Sequence, residues 1–263
     1  MGESKLVTLT GIVADGTPGF LSLMVHMKRL KKVKIWCSYA GDGVDLNNEL
    51  ARVIPLFLEK PLPDYETRCL SLDFQAVTEG TLYALQEFSS HCLHGNEIHL
   101  SALKLHGKMS ILPQFVRKLD GLKDLCLTTS RVTQNMMSEI GKMDILLYLK
   151  VTAEQIDHLV IDGGSFKSLR RLRFVVHKPN FMLPTIKEGG LPELVSLQLL
   201  CQSLVISGTE INKLNNIKEI VLHSGLHPQT RAILEEVTKT HPNMPDILLI
   251  SNFNALCFGL GWG

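Results

Sequence analysis

Hydrophobic residues along this chain return in a spaced L-x-x-L-x-L pattern. Six copies are legible: Leu100/Leu103/Leu105, Leu122/Leu125/Leu127, Leu146/Leu149/Val151, Leu169/Leu172/Phe174, Leu194/Leu197/Leu199 and Ile217/Ile220/Leu222. Their first positions are 22, 24, 23, 25 and 23 residues apart, a near-constant step that leucine-rich composition alone does not produce. In the L-x-L part, alternate side chains of an extended segment leave on opposite faces, so the two apolar residues point one way and the residue between them the other. One such unit cannot bury its apolar face alone, whereas stacked neighbours bury it jointly. This period predicts an α/β leucine-rich-repeat solenoid: a curved parallel sheet on the concave side, helices and loops on the convex side.

The pattern divides the chain. Residues 1–250 read as a single repeat domain, irregular over 1–99, regular over 100–225, with a C-terminal helix and cap over 226–250. In the irregular part Leu30/Val33/Ile35 fits, Leu70/Leu72 fits with Thr67 in the first position, and Leu6/Leu9 matches weakly. Extra helix is expected in the long gaps: Leu46, Leu50, Val53, Ile54, Phe57 and Leu58 recur with helical period, interrupted by Pro55, and Leu82, Leu85 and Phe88 suggest a second stripe. Leu112, Phe115, Val116 and Leu119 follow i, i+3, i+4, i+7 and predict a convex-side helix, as does the stretch from Arg131 to Met143. A last helix over Thr230–Thr240 should stop at His241 and Pro242. The tail, residues 251–263, fits no repeat and is expected either to lack order or to cover the solenoid end.

In this register the residues flanking and between the core positions form outward columns, the default binding surface of a solenoid. They contain Lys32, Lys34 and Trp36; Cys69, Ser71 and Asp73; Ala102, Lys104 and His106; Asp124, Cys126 and Thr128; Tyr148, Lys150 and Thr152; Arg171, Arg173 and Val175; Ser196, Gln198 and Leu200; and Glu219, Val221 and His223. Lys104, His106, Tyr148, Lys150, Arg171 and Arg173 form the candidate protein-binding surface, because arginine and tyrosine supply the bidentate and amphipathic contacts of interface hot spots. On this reading Leu149→Ala is costly, whereas Lys150→Ala, at a solvated position, costs well under about 1 kcal/mol.

Composition narrows the classes. The 263 residues are 45% hydrophobic, and 27 Lys and Arg against 26 Asp and Glu leave a net charge of +1, so no global field points to nucleic acid or an anionic membrane. Six scattered cysteines read as free thiols, Cys126 as an inert one. The opening MGESKLVTLTG lacks the build of a signal peptide, there is no N-x-[ST] site, and no apolar run has the length of a membrane span. The expectation is an intracellular, cytoplasmic protein.

Catalytic constellations are absent from the sequence. There is no G-x-x-x-x-G-K-[ST] phosphate loop, G-x-S-x-G, H-E-x-x-H or C-x-x-C, and neither enzyme activity nor a cofactor is expected. His91, Cys92, His94 and His99 match no common zinc spacing. Asp42, Asp45, Asn47 and Glu49 fail as a calcium loop because Leu50 stands where that loop needs glycine.

Whole phrases carry a more specific likeness. MKRLKKVKIWC (27–37), LKLHGKMSILPQFVRKLDGLKDLCLTTS (103–130), LLYLKV (146–151), SFKSLRRLRFVV (165–176), GGLPELVSLQLLC (189–201), IKEIVLHSG (217–225) and HPNMPDILLI (241–250) resemble the C-terminal leucine-rich repeats of plant intracellular nucleotide-binding immune receptors, those of cereals above all. The resemblance implies the sensing or autoinhibitory part of a disease-resistance receptor, with a pathogen effector, a host guardee or a receptor nucleotide-binding domain as protein partner. The coiled-coil and nucleotide-binding domains of those receptors have no counterpart in this sequence, so the family's switch does not run on this chain alone. The asparagine that closes a regular repeat is also missing, with Ser130, His177 and Gln202 standing after the last core positions. The alternative reading is a leucine-rich-repeat substrate adaptor for ubiquitin ligation, for which residues 1–29 are too short to supply an F-box-like module.

Overall fold

The computed structural model describes residues 5–14, 22–37, 50, 53–54, 56–58, 67–74, 100–109, 111–206 and 208–251. The chain is α/β and comprises two compact units, Met1–Thr129 and Ser130–Gly263.

In the first unit the inward positions build a row of parallel strands in chain order. β1 (Thr8–Ala14), β2 (Lys32–Cys37), β3 (Arg68–Asp73), β4 (Leu100–His106) and β5 (Asp124–Val132) pair successively, each with the next in sequence. Val33 sits opposite Leu70, Leu70 opposite Leu103 and Leu103 opposite Leu125, all buried. The weak match at Leu6/Leu9 is in register, Leu9 standing half-buried opposite Val33, but the pattern breaks just beyond it. Leu6 is exposed, an irregularity at Thr10 and Gly11 shifts the register, and Ile12 and Ala14 fill the core instead. Gly11 takes φ +90° there, a conformation open to glycine and costly for other residues.

The described helical material is short here. α1 (Ser22–His26) precedes β2, and Leu50, Val53, Ile54, Leu56, Phe57 and Leu58 are helical, with all but Leu56 buried, as their period predicts. The stripe Leu82, Leu85 and Phe88 lies outside the described residues. Leu112, Phe115, Val116 and Leu119 are all buried, yet the helix among them is a 3-10 helix, Gln114–Lys118, instead of an α-helix. Pro113 at its N-cap and the short span before β5 leave room for little more than a single tight turn. Gly107 admits a close crossing behind β4: a Cβ there would lie 2.8 Å from Cβ of Phe74.

The second unit repeats the scheme. β6 (Tyr148–Ile156), β7 (Val160–Ile161), β8 (Arg171–Val176), β9 (Phe181–Met182), β10 (Thr185–Ile186), β11 (Ser196–Cys201), β12 (Leu204–Val205), β13 (Glu219–His223) and β14 (Asp246–Ile250) follow one another. The longer ones pair in parallel as β6-β8-β11-β13-β14, and the two-residue strands form separate ladders, β7 with β10 and β9 with β12. Leu149, Leu172, Leu197 and Ile220 lie side by side in register, each at most 1% exposed.

α2 (Gln134–Ile140) occupies the middle of the stretch expected to be helical; Arg131 and Val132 belong instead to β5, and the Thr133 hydroxyl caps the helix by accepting from the Met136 N–H. α3 (Pro228–Thr240) starts with proline in its first turn, and its C-cap is His241, followed by Pro242. The terminal segment adds a strand to the expected helix and cap. β14 places Ile247 beside Ile220 and Leu249 beside Leu222, so Met244/Ile247/Leu249 is a further copy of the spacing, with Met244 and Leu249 exposed. The tail beyond residue 251 lies outside the described residues.

A recurring turn leads into the strands. The N–H of the first core residue donates to the carbonyl three residues earlier: Leu30 to Met27, Leu122 to Leu119, Leu146 to Met143, Leu169 to Phe166, Leu194 to Leu191, Ile217 to Leu214 and Met244 to His241. Leu119, Phe166, Leu191, Leu214 and His241 are buried. The repeat therefore has a fourth core position, which the L-x-x-L-x-L spacing does not include.

Candidate protein-binding surface

The outward columns exist in the predicted register, within each unit. In the first, Lys34, Ser71, Lys104 and Cys126 form one row, and Trp36, Asp73, His106 and Thr128 the next. Lys104 and His106 are partly exposed. His106 Nδ1 lies 3.1 Å from Asp73 Oδ2, and the Lys34 ammonium stands 4.6 Å from the centre of the Trp36 ring, a cation–π contact on the open face.

In the second unit, Tyr148, Arg171, Ser196, Glu219 and Asp246 form the first row, and Lys150, Arg173, Gln198, Val221 and Leu248 the second. Arg171 is exposed, with its guanidinium 5.9 Å from the centre of the Tyr148 ring. Arg173 is half-buried; its Nε donates to Oε1 of Gln198, whose Nε2 in turn donates to Ser196 Oγ at 3.2 Å.

Burial on this face departs from the sequence expectation. Lys150 is only 8% exposed and Tyr148 9%, so Lys150→Ala is not a substitution at a solvated position. Val175, Leu200 and Val221 pack together on the outward side with Ile250 against them. The signal was present: RLRFVV, SLQLLC and EIVLH contain runs of apolar residues, which is how strands covered on both faces read. Leu248 and Ile250, which the sequence reading places in a cap, bring an exposed and a half-buried aliphatic side chain to the same face.

Three of the described thiols are quiet. Burial pushes Cys37 and Cys201 up to about 12, Asp73 adding to the effect at Cys37, and burial also raises Cys69. Thiolate is the reactive form, so these cysteines are poor nucleophiles near neutral pH. Among the described residues no group of three His, Cys, Asp or Glu side chains is placed to hold a metal. His91, Cys92, His94 and His99, and likewise Asp42, Asp45, Asn47 and Glu49, lie outside the described residues. No described helix is long and apolar enough to cross a membrane.

No family model matches the chain. Two rice (Oryza sativa subsp. japonica) proteins, both named Disease resistance protein RGA4, are 37% identical to it over 252 residues, which is 95% of this chain and 24% of each relative. The chain thus spans about a quarter of the length of the curated relatives it matches. Over nearly its whole length, this chain is similar to one region of a plant disease resistance protein.

Proposed function

We propose that the chain is a non-catalytic protein-recognition module of a plant innate-immune receptor, its sensing or autoinhibitory part, built as a leucine-rich-repeat solenoid within each unit and working in the cytoplasm. The observation that carries this reading is the set of registered outward rows on parallel strands that follow chain order. A doubly wound nucleotide-binding sheet reverses its strand order at the ligand site; among the described strands of either unit the order does not reverse. The similarity to disease resistance proteins supports the immune assignment.

The partner is a protein: a pathogen effector, a host guardee or the nucleotide-binding domain of a receptor. Arg171 and Arg173 offer two adjacent guanidinium groups on one strand, and arginine is strongly represented among interface hot spots. The test is co-precipitation of this chain with the nucleotide-binding region of a closely similar full-length receptor, using wild type and Arg171→Glu/Arg173→Glu. Capture by wild type and its loss on charge reversal, with unchanged melting temperature, is the expected result. Undiminished capture by the double variant removes the arginine pair from the interface.

A further inference from the structure

The second unit's face is chemically polarised from strand to strand. In the second row, the β6 and β8 positions are Lys150 and Arg173, the β11 position is the amide Gln198, and the β13 and β14 positions are Val221 and Leu248. Lys150 is nearly closed to solvent, so the cationic end is reached through β8, where Arg171 stands in the first row beside Arg173. Arg171 is exposed, Arg173 half-buried and Leu248 46% exposed, while Gln198 and Val221 between them are nearly closed to solvent. The face therefore presents a cationic grip at Arg171 and Arg173, an aliphatic contact at Leu248, and a floor between them.

We infer that this face takes an extended acidic-aliphatic segment of a partner protein, with a carboxylate on Arg171 and Arg173 and an aliphatic side chain on Leu248. This deepens the recognition role proposed above and rests on it. Strands in a sheet lie about 4.8 Å apart, so the three steps from β8 to β14 span about 14 Å; an extended chain rising about 3.4 Å per residue covers that in about four residues. The segment thus carries Asp or Glu about four positions from Leu, Ile, Val or Met. Glu219 and Asp246 stand in the adjacent row beside the aliphatic end. A second acidic residue there meets like charge, which fixes which end of the segment goes where.

The test is selection of a random short-peptide display library on the immobilised full chain and on two variants, Arg171→Glu/Arg173→Glu and Leu248→Asp, whose folding is checked by their urea midpoints. Wild type enriches peptides with an acidic and an aliphatic residue roughly three to five positions apart. The arginine reversal loses the acidic preference, and Leu248→Asp loses the aliphatic preference while keeping the acidic one. No enrichment, a different spacing, or enrichment that both variants share with wild type overturns the inference. If the receptor fragment is still captured through Arg171 and Arg173 while the library shows no such pattern, only this inference falls. If that capture also fails, the recognition reading falls with it.

Discussion

Leu149→Ala tests the register of the second unit at its most buried row. Leu149 is fully buried and pairs with Leu172, which continues to Leu197 and Ile220. The substitution removes three carbon atoms, worth about 2.4 kcal/mol at roughly 0.8 kcal/mol per buried methylene. The cavity left between strands held by their own hydrogen bonds relaxes little, which takes the expected loss into the range of about 2 to 5 kcal/mol. Arg171→Ala, at the exposed outward position of the neighbouring strand, is the matched surface control and should stay within about 0.5 kcal/mol. Urea unfolding followed by circular dichroism reads both. With an m value of about 2.5 kcal/mol/M, Leu149→Ala lowers the midpoint by about 1 to 2 M, and the control moves it by about 0.2 M at most. Equal shifts at the two positions would mean that Leu149 does not face the core.

Arg68 lies fully buried, with Nη1 donating to the Leu58 carbonyl at 3.2 Å, its guanidinium 5.1 Å from the centre of the Phe57 ring, and Nε without a hydrogen-bond partner among the described residues. Burial lowers its pKa to about 10. Because burial disfavours the charge and no carboxylate is paired with it among the described residues, Arg68→Met should stay within about 1 kcal/mol of wild type or exceed it, whereas Arg68→Ala should lose about 2 kcal/mol or more to the cavity; thermal melts distinguish them, and a large loss in the methionine variant refutes the account. Cys37 and Cys201 should resist iodoacetamide at pH 8 until the chain is unfolded, and rapid labelling of the native protein would contradict their burial. Both thiols are held neutral in the fold, so they add stability that is complete below the unfolded thiol pKa of about 8.5 and lost as pH rises toward about 12. Urea midpoints should fall between about pH 8 and 10, less so in Cys37→Ala/Cys201→Ala.

The inward alternation was legible because leucine at a fixed step has one physical reading, and every one of the six copies is buried where the spacing puts it. The strand-entry turns were less visible. Met27, Leu119, Met143, Phe166, Leu191, Leu214 and His241 precede the first core residue by three, but their side chains differ too much to announce a single position. The last copy hid for the same reason: histidine and methionine replace leucine at its first two places. Outward burial at Lys150 is not legible either, because a charged residue flanked by core positions reads as solvated until its neighbours on adjacent strands are known.

Strand pairing that joins one repeat to the next has a genetic corollary. Gain or loss of a whole repeat leaves every remaining side chain on its own face and only changes how far apart the ends of a row stand, by about 4.8 Å per strand. Gain or loss of one residue inside a strand turns all that follow it in that strand to the opposite face. Length variation among relatives of this chain should therefore come in whole repeats or in the connections between strands, and seldom within the paired segments themselves.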